Sequence, residues 1–181
     1  MEKVMGNCLK TKCEPRIYAA CLAVYNNGYL HGAWIDATKG EWGIWDDIQK
    51  MLAASPIPDA EEHAIHDYEG FEGARISEYT GIETVAKLAA FVTEHGRLGG
   101  AVLEYYNNDL DEASEALTER YHGQYTSLAD YVQEMTEDSM LIPQSLEYYI
   151  NWQAMARDAE LNGDLFTIST AYNEVHVFAG C

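Results

Sequence analysis

The sequence predicts the α+β fold class, arranged as an elongated chain of three small domains with an acidic surface. Strand-like runs lie near both ends of the chain, helical patterns occupy its middle, and turn residues divide these segments at short intervals. The 181 residues are 48% hydrophobic, which is enough for a core, but no single section is long enough to bury a large one. Neighbouring sections are therefore expected to share apolar contacts at their junctions.

The first section has the pattern of a β-hairpin followed by a helix. Residues 16–24 form a strand-like run, Asn26-Asn27-Gly28 is a hairpin turn signal, and residues 29–36 return as the second strand. Residues 41–53 repeat apolar positions at helical spacing, and the two prolines within residues 55–58 end that helix.

A third strand is predicted over residues 61–68, where alternating side chains suit a pleated strand, and the glycine-containing residues 69–73 are predicted to turn. Because this strand can add to the hairpin, residues 16–75 are expected to form an N-terminal α+β domain. Residues 1–15 are expected to form a flexible leader that ends at Pro15.

Residues 76–120 are predicted to form a helical middle domain. Its first helix covers residues 82–95, and Gly96 with the pair Gly99-Gly100 is expected to end it. Two short helices are predicted next, over residues 101–108 and 109–120. Acidic residues open the second of these, where the positive end of the helix dipole stabilises them.

Residues 121–181 are predicted to form a C-terminal α+β domain. A short strand over residues 121–125 precedes a helix that one of the hydroxyl residues 126–127 caps. Pro143 is expected to open one long helix that Gly163 ends. The section closes with a hairpin turning at Tyr172-Asn173, with strands over residues 165–170 and 174–179.

The formal net charge of −19 is concentrated in two acidic regions. In residues 59–72, six acids fall within fourteen positions without a Lys or Arg, and residues 104–138 contain ten acids against Arg120 alone. The 13 Tyr, 4 Trp and 4 Phe exclude a disordered acidic tail, so the charges must lie on a folded scaffold. Clustered like charges repel one another, which favours a binding function over the alternative that the acidity serves solubility alone.

Such a surface disfavours nucleic acid and anionic membranes as ligands, and it favours basic proteins. The sequence has no apolar run long enough to span a membrane and no signal-peptide core, so a cytoplasmic location is expected. The candidates for a distributed partner-binding surface are Asp46, Asp47, Asp59, Glu61, Glu62, Asp67, Glu69, Glu72, Glu104, Asp109, Asp111, Glu112, Glu115, Glu119, Asp130, Glu134, Glu137 and Asp138.

Three segments resemble one protein family in the same order and at comparable spacing. They are IYAACLAVYNNGYLHGAWID near the start, EEHAIHDYEGF in the middle and IPQSLEYYINWQAMARDAELNGDLF near the end. In these segments the chain is similar to the ArdA antirestriction proteins of plasmids and conjugative transposons. The resemblance runs over nearly all of residues 17–178, and it departs from the family pattern at the leader and at Cys181.

The resemblance implies a mimic of bent B-form DNA that binds the modification core of type I restriction-modification enzymes and blocks them. It also implies three domains in a row and a homodimer joined through the C-terminal domains. B-DNA carries one charge per ~1.7 Å of axis, so the excess of 28 acids over seven bases in residues 17–181 would match roughly 35 Å of duplex if it lined one face. Our candidates for the dimer contact are the apolar residues Met140, Leu141, Ile142 and Pro143.

Other functions receive less support from the sequence. His63 and His66 lie beside carboxylates, but residues three apart on a strand point to opposite faces, so no metal site is predicted. Cys8 and Cys13 are five residues apart, wider than the usual zinc spacing, and no cofactor is expected. No catalytic motif is present, so an enzyme is not expected. An acidic decoy or chaperone for another basic DNA-binding protein stays open as the alternative function.

Overall fold

The computed structural model describes residues 14–180. The predicted leader up to residue 13, with Cys8 and Cys13, and the terminal Cys181 lie outside the described residues. The α+β class is confirmed, with helices and two small sheets. The chain divides into two compact units, one that ends at Gly100 and one that begins at Ala101. The three-domain layout stays a prediction.

The first unit contains a three-stranded antiparallel sheet in the order β2-β1-β3. The β-hairpin and the third strand that the sequence predicts are both confirmed. The elements are β1 (Arg16–Cys21), α1 (Leu22–Tyr25), β2 (Gly32–Asp36), α2 (Gly40–Ala53), β3 (His63–Glu69) and the start of α3 (Ile82–Tyr105).

The hairpin connection is longer than the two-residue turn signal predicts. The first strand gives way to a single helical turn at Leu22, so the prediction of a strand through residue 24 is wrong. The backbone N–H of Leu22 donates to the carbonyl of Glu62, and the side chain of Asn27 donates to the Ala23 carbonyl. These bonds stabilise the helical turn, and the returning strand consequently begins at Gly32 rather than at residue 29.

The third strand contains a β-bulge that breaks its simple alternation. Tyr18 pairs with Asp67 and Ala19 pairs with Ile65, so His66 is an extra residue between two paired positions. The regular alternation predicted for residues 61–68 is therefore wrong beyond Ile65. The side chain of Ile65 and that of the residue before it are both buried.

The predicted helix at residues 41–53 is confirmed as α2, which packs one face against the sheet. Its apolar residues recur every three or four positions and meet strand residues that are equally buried. Fully burying one such side chain contributes roughly 1.5–3 kcal/mol, so this layer supplies much of the unit's stability. Its core side chains include Ile17, Ile35, Ile44, Ile48, Met51 and Leu52.

The helix α3 is interrupted at Gly96, as predicted, where φ is 59° and ψ is −140°. The prediction that Gly99 and Gly100 also end it is wrong, because helical structure resumes and includes most of the short helix predicted from residue 101. Close packing requires both glycines instead. A Cβ at position 99 would lie 2.6 Å from the Cβ of His95, and one at position 100 would meet the backbone of Glu72.

The second unit contains another three-stranded antiparallel sheet, in the order β4-β6-β5. The predicted strand at residues 121–125 and the closing hairpin are both confirmed. The elements are α4 (Leu110–Glu115), which continues as a π-helical turn (Ala116–Arg120), β4 (Tyr121–Tyr125), α5 (Leu128–Ser139), α6 (Gln144–Glu147), α7 (Trp152–Asn162), β5 (Leu165–Ala171) and β6 (Glu174–Ala179).

The central strand β6 contributes side chains to both sides of this sheet. On one side, Val177 packs with Tyr131 of α5 and with the buried part of α7. On the other, the ring of Phe178 stacks on Phe166 with 4.9 Å between centroids, and Phe166 stacks in turn on Tyr105. The sheet therefore has apolar contacts on both faces, which fixes the register of its strands.

The prediction of one long helix opened by Pro143 is wrong. Pro143 precedes only the short helix α6, and α7 starts separately at Trp152. The preceding residue, Asn151, caps α7 with a side chain that accepts a hydrogen bond from the Ala154 N–H. The break follows from exposure, because Tyr148 and Tyr149 are 89% and 84% exposed and no buried face sustains a helix there. In the described part of the chain, no helix combines the length and apolar character that a membrane span requires.

Candidate partner-binding surface

The eighteen acidic residues predicted for partner binding all lie within the described residues, and every one except the half-buried Asp47 is exposed. Within each unit they are spread over several elements. Among residues 14–180, no group of three or more His, Cys, Asp and Glu side chains is arranged to hold a metal ion. The arrangement can attract basic groups over a wide area, which differs from the convergent geometry of a catalytic pocket.

The acids of α2 are partly neutralised by neighbouring lysines. Lys50 forms ion pairs with Asp46 and Asp47, and the Nζ of Lys39 lies 2.6 Å from an Asp47 oxygen. The hydrogen bond from Lys39 lowers the pKa of Asp47 below its ordinary value, against the opposing effect of burial. These two carboxylates are therefore weaker candidates for contact with a basic partner than the sequence indicates.

The acids of the edge strand β3 differ in whether they form an ion pair. Arg16 donates through Nε and Nη2 to one oxygen of Glu69, at 2.9 and 2.6 Å. Asp67 accepts the N–H of Tyr68, and it makes no ion pair with a residue of the described chain. The other candidates of this acidic region without an ion pair among the described residues are Asp59, Glu61, Glu62 and Glu72.

The two histidines of β3 contact different aromatic rings. His63 makes an edge contact with Trp45, and His66 makes one with Tyr25. Burial lowers the pKa of His63, which favours its neutral form. The bulge at His66 interrupts the regular alternation of side chains between the two histidines. Their rings nevertheless contact different aromatic side chains and do not face a common site.

The helix α4 begins with a carboxylate cap. The Asp109 side chain accepts hydrogen bonds from the N–H groups of Asp111 and Glu112, both at 3.1 Å. This cap confirms the predicted helix start and gives Asp109 a structural role in addition to its charge. The acids of the first turn are stabilised by the positive end of the helix dipole.

Arg120 is the basic residue that offsets the charge of α4. Its side chain is only 11% exposed, and its Nη2 lies 3.1 Å from a Glu112 oxygen and 3.5 Å from one of Glu115. The guanidinium also lies over the ring of Tyr106, 5.6 Å from its centroid. The sequence shows Arg120 as the one base among ten acids. Only the structure shows that Arg120 pairs with Glu112 and Glu115.

The helix α5 carries an acidic stripe, which we define as Asp130, Glu134, Glu137 and Asp138. At 3.6 residues per turn these positions fall within about a 100° arc of the helix. All four are exposed, and α5 contains no Lys or Arg. The side chains of α5 that pack on the sheet, Tyr131 and Val132, are buried and do not belong to the stripe. A partner can therefore reach all four carboxylates from solvent.

The acidic stripe affects a neighbouring side chain and the helix itself. Burial raises the pKa of the Tyr125 hydroxyl, and the charges of Glu134 and Asp138 raise it further. Like charges at i,i+4 destabilise a helix by about 0.2–0.5 kcal/mol each, and acids in the last turn oppose the helix dipole. Glu137 and Asp138 lie at that end. The stripe therefore costs stability, which favours a role in binding.

Several exposed acids of the second unit are not among the predicted partner-binding residues. Glu147, Asp158 and Glu160 lie outside the two acidic regions, and all three are exposed on α6 and α7. They do not form a dense cluster in the sequence, because apolar and polar residues separate them along the chain. The excess of acids over bases in the C-terminal section is the signal that could have included them.

The predicted dimer-contact residues lie in the connection between α5 and α6. Met140 is 59% exposed and Leu141 is 95% exposed, while Ile142 is half-buried and Pro143 is exposed. Neighbouring exposed apolar side chains are typical of surfaces that bind another protein. The dimer contact itself stays a prediction.

A family model described as "Antirestriction protein (ArdA)" matches residues 17–174. The chain belongs to the ArdA family. The resemblance noted in the sequence is thereby confirmed, and membership in the ArdA family implies an antirestriction function. ArdA proteins are inhibitors and are not known as a family of enzymes. No curated protein matches the chain.

Proposed function

We propose that this ArdA protein inhibits type I restriction-modification enzymes by mimicking B-form DNA and occupying the DNA-binding channel of their modification core. The channel of such an enzyme must be basic enough to bind phosphates, so exposed carboxylates at similar spacing can pair with the same lysines and arginines. No base edges are needed for this interaction. Inhibition would then be independent of the recognition sequence, and it would block restriction and any modification that uses the same channel.

The observation that carries the proposal is the spacing of the acidic stripe on α5. Its four carboxylates extend over about 12 Å of helix axis, at 1.5 Å per residue. One strand of B-DNA presents a phosphate about every 3.4 Å of axis, so the stripe resembles roughly four consecutive phosphates in charge and length. No cation of the described residues forms an ion pair with this stripe.

The composition of the second unit supports the same mechanism. From Ala101 onward the chain contains fifteen acids against Arg120 and Arg157, a formal charge of −13. Such a field would raise the association rate with a basic channel, and the effect would decrease as salt screens it.

The assembly that we propose is a cytoplasmic homodimer joined through Met140–Pro143. An elongated chain of three small domains, the layout that the sequence predicts, would distribute the acids along the partner's channel. A two-fold dimer would double the number of charges presented, because the same stripe occurs once in each copy.

Competition for DNA tests the proposal. A purified type I enzyme would be incubated with labelled target DNA and increasing amounts of the protein, and bound DNA would be measured. We expect displacement that weakens as salt is raised. A parallel experiment replaces the type I enzyme with an unrelated basic DNA-binding protein. Equal displacement of DNA from that protein would favour the decoy or chaperone function. Intact DNA binding by the type I enzyme at saturating protein would contradict the proposal.

A further inference from the structure

One face of the first unit's sheet presents aromatic and acidic side chains in register. Directly paired residues of antiparallel strands point to the same face, so Trp34, Tyr18 and Asp67 form one row across β2, β1 and β3. The rings of Tyr18 and Trp34 are in edge contact, with centroids 5.6 Å apart. The next row on this face places Arg16 opposite Glu69.

Arg16 shows which kind of side chain this face can hold. Its guanidinium lies 4.6 Å from the centroid of the Trp34 ring while it donates two hydrogen bonds to Glu69. A planar cation that stacks on an aromatic ring and donates to a carboxylate is characteristic of arginine and is poorly reproduced by lysine. The face therefore already holds one guanidinium, and that one belongs to the protein itself.

A second carboxylate lies beside this pair. Asp67 is exposed and occupies the same face as Glu69, two positions along the strand, which corresponds to about 6.6 Å. The side chains of Arg16 and Glu69 are 47% and 43% exposed, and Trp34 is 39% exposed. An incoming cation can consequently reach the ring and both carboxylates.

We propose that the Trp34 face, defined as Arg16, Tyr18, Trp34, Asp67 and Glu69, binds an arginine side chain of the basic partner, and that Arg16 occupies part of this site in the free protein. The incoming guanidinium stacks on Trp34 and pairs with Glu69 and Asp67 as Arg16 is displaced. For the identity of the partner, this inference rests on the proposed function. The site itself follows from the geometry of the sheet.

Arg16 is then an internal competitor, and its removal should strengthen binding at this face. A capped peptide with three arginines is the probe, and a peptide with three lysines at the same positions is its control. Titration into isotopically labelled full-length protein would be followed through the indole N–H signals of the tryptophans. Trp45, which is half-buried on α2 in contact with His63, is the internal reference.

We expect the arginine peptide to shift the Trp34 signal saturably and the lysine peptide to bind more weakly there. Arg16→Gln should tighten binding of the arginine peptide about two- to fivefold, the range of an exposed ion pair. Lys50→Gln removes an equal charge from the pair with Asp46 and should produce a smaller gain. In the variants that lack Trp34, peptide binding is followed through the backbone N–H signals of Asp67 and Glu69 instead. Adding Trp34→Leu to Arg16→Gln should abolish the gain, and adding Trp34→Phe, which retains a ring, should keep part of it.

Equal gains from Arg16→Gln and Lys50→Gln would overturn the inference, because general charge would then explain both. An unmoved Trp34 signal, or equal binding of the two peptides, would overturn it as well. The inference and the proposed function can fail separately. If arginine binds at Trp34 but the protein does not displace DNA from a type I enzyme, the site is supported and the proposed function is refuted. If the protein displaces DNA and neither Trp34→Phe nor Trp34→Leu changes that displacement, the site alone is refuted.

Discussion

Gly100 lies against the backbone of Glu72, so closely that a Cβ atom at position 100 would stand 2.2 Å from the Glu72 carbonyl oxygen. Glu72 itself has a φ of 50°, in the left-handed region, and it follows the buried Phe71. The turn that ends the first acidic region therefore packs directly against α3. A glycine that sequence reasoning assigns to a helix end instead makes room for this turn.

Replacing Gly100 by alanine should therefore destabilise the first unit. The added methyl meets a backbone atom that cannot rotate away, and overpacking of this kind costs about 1–3 kcal/mol. Chemical denaturation measures the loss. Gly81→Ser is the matched control, because a Cβ there meets nothing within 4 Å and serine suits the start of a helix. A Gly100→Ala protein as stable as the parent would contradict the packing that we describe.

Neutralising the acidic stripe should weaken inhibition and increase stability at the same time. The triple change Glu134→Gln, Glu137→Gln and Asp138→Asn removes like-charge repulsion and two charges that oppose the helix dipole, each worth about 0.3–1 kcal/mol. We expect a higher unfolding midpoint together with poorer displacement of DNA from a type I enzyme.

The control for the stripe changes three exposed acids elsewhere in the second unit. Asp158→Asn, Glu160→Gln and Asp164→Asn together remove the same total charge and leave α5 intact. Inhibition by this control should fall less than inhibition by the stripe variant. Equal losses in the two triple variants would show that total charge matters and that the stripe is not a particular contact.

Single substitutions across the acidic surface should each have small effects. An exposed ion pair contributes at most about 1 kcal/mol, so Asp67→Asn, Glu69→Gln, Asp111→Asn or Glu115→Gln alone should weaken inhibition only a few-fold. Losses should accumulate when six or more changes are combined. Titrating each variant in the DNA-displacement assay measures these losses. One substitution that abolished inhibition in a folded protein would show that the function is not distributed.

Stability should decrease as the pH falls below about 6.5, the ordinary pKa of histidine. Burial lowers the pKa of His176, although Glu174 opposes this, and burial also lowers the pKa of His63. At a pH below the ordinary histidine pKa, the unfolded chain binds protons that the folded protein does not. The free energy of unfolding therefore falls as the pH is lowered, until the pH passes the pKa of the folded protein. Denaturation at pH 7.5 and 5.5 should show this loss, and His176→Gln should reduce the difference. If the stability of His176→Gln differed between the two pH values as much as that of the parent, His176 would be excluded as a cause.

Dimerisation should increase with salt if Met140–Pro143 forms the contact. Screening reduces repulsion between two copies of a chain with charge −19, while an apolar contact is retained. Leu141→Asp should shift light scattering towards monomer, and Leu161→Asp, at another exposed leucine, should not. A monomer at every salt and protein concentration would contradict the proposed contact.

Local patterns in the sequence were sufficient to predict the α+β class, most elements and the position of the charge along the chain. Hydrophobic spacing predicts α2 because the side of a helix that faces a core repeats every three to four residues, whatever the helix packs against. Local chemistry likewise predicts a hydroxyl cap of α5 at residue 126 or 127, which the structure assigns to Ser127, and the end of α7 at Gly163, where φ is 78°. Such signals depend only on near neighbours in the chain.

Contacts between distant segments determine which acids are neutralised and where the chain departs from regular patterns. The pair of Lys50 with Asp46 follows from their i,i+4 spacing, but Arg16 and Glu69 are 53 residues apart and meet only because β1 and β3 are adjacent. The bulge at His66 arises in the same way, from the pairing of β3 with β1. Register, ion pairing and close approach depend on packing across the fold, and their free energies are not encoded in any short run of sequence.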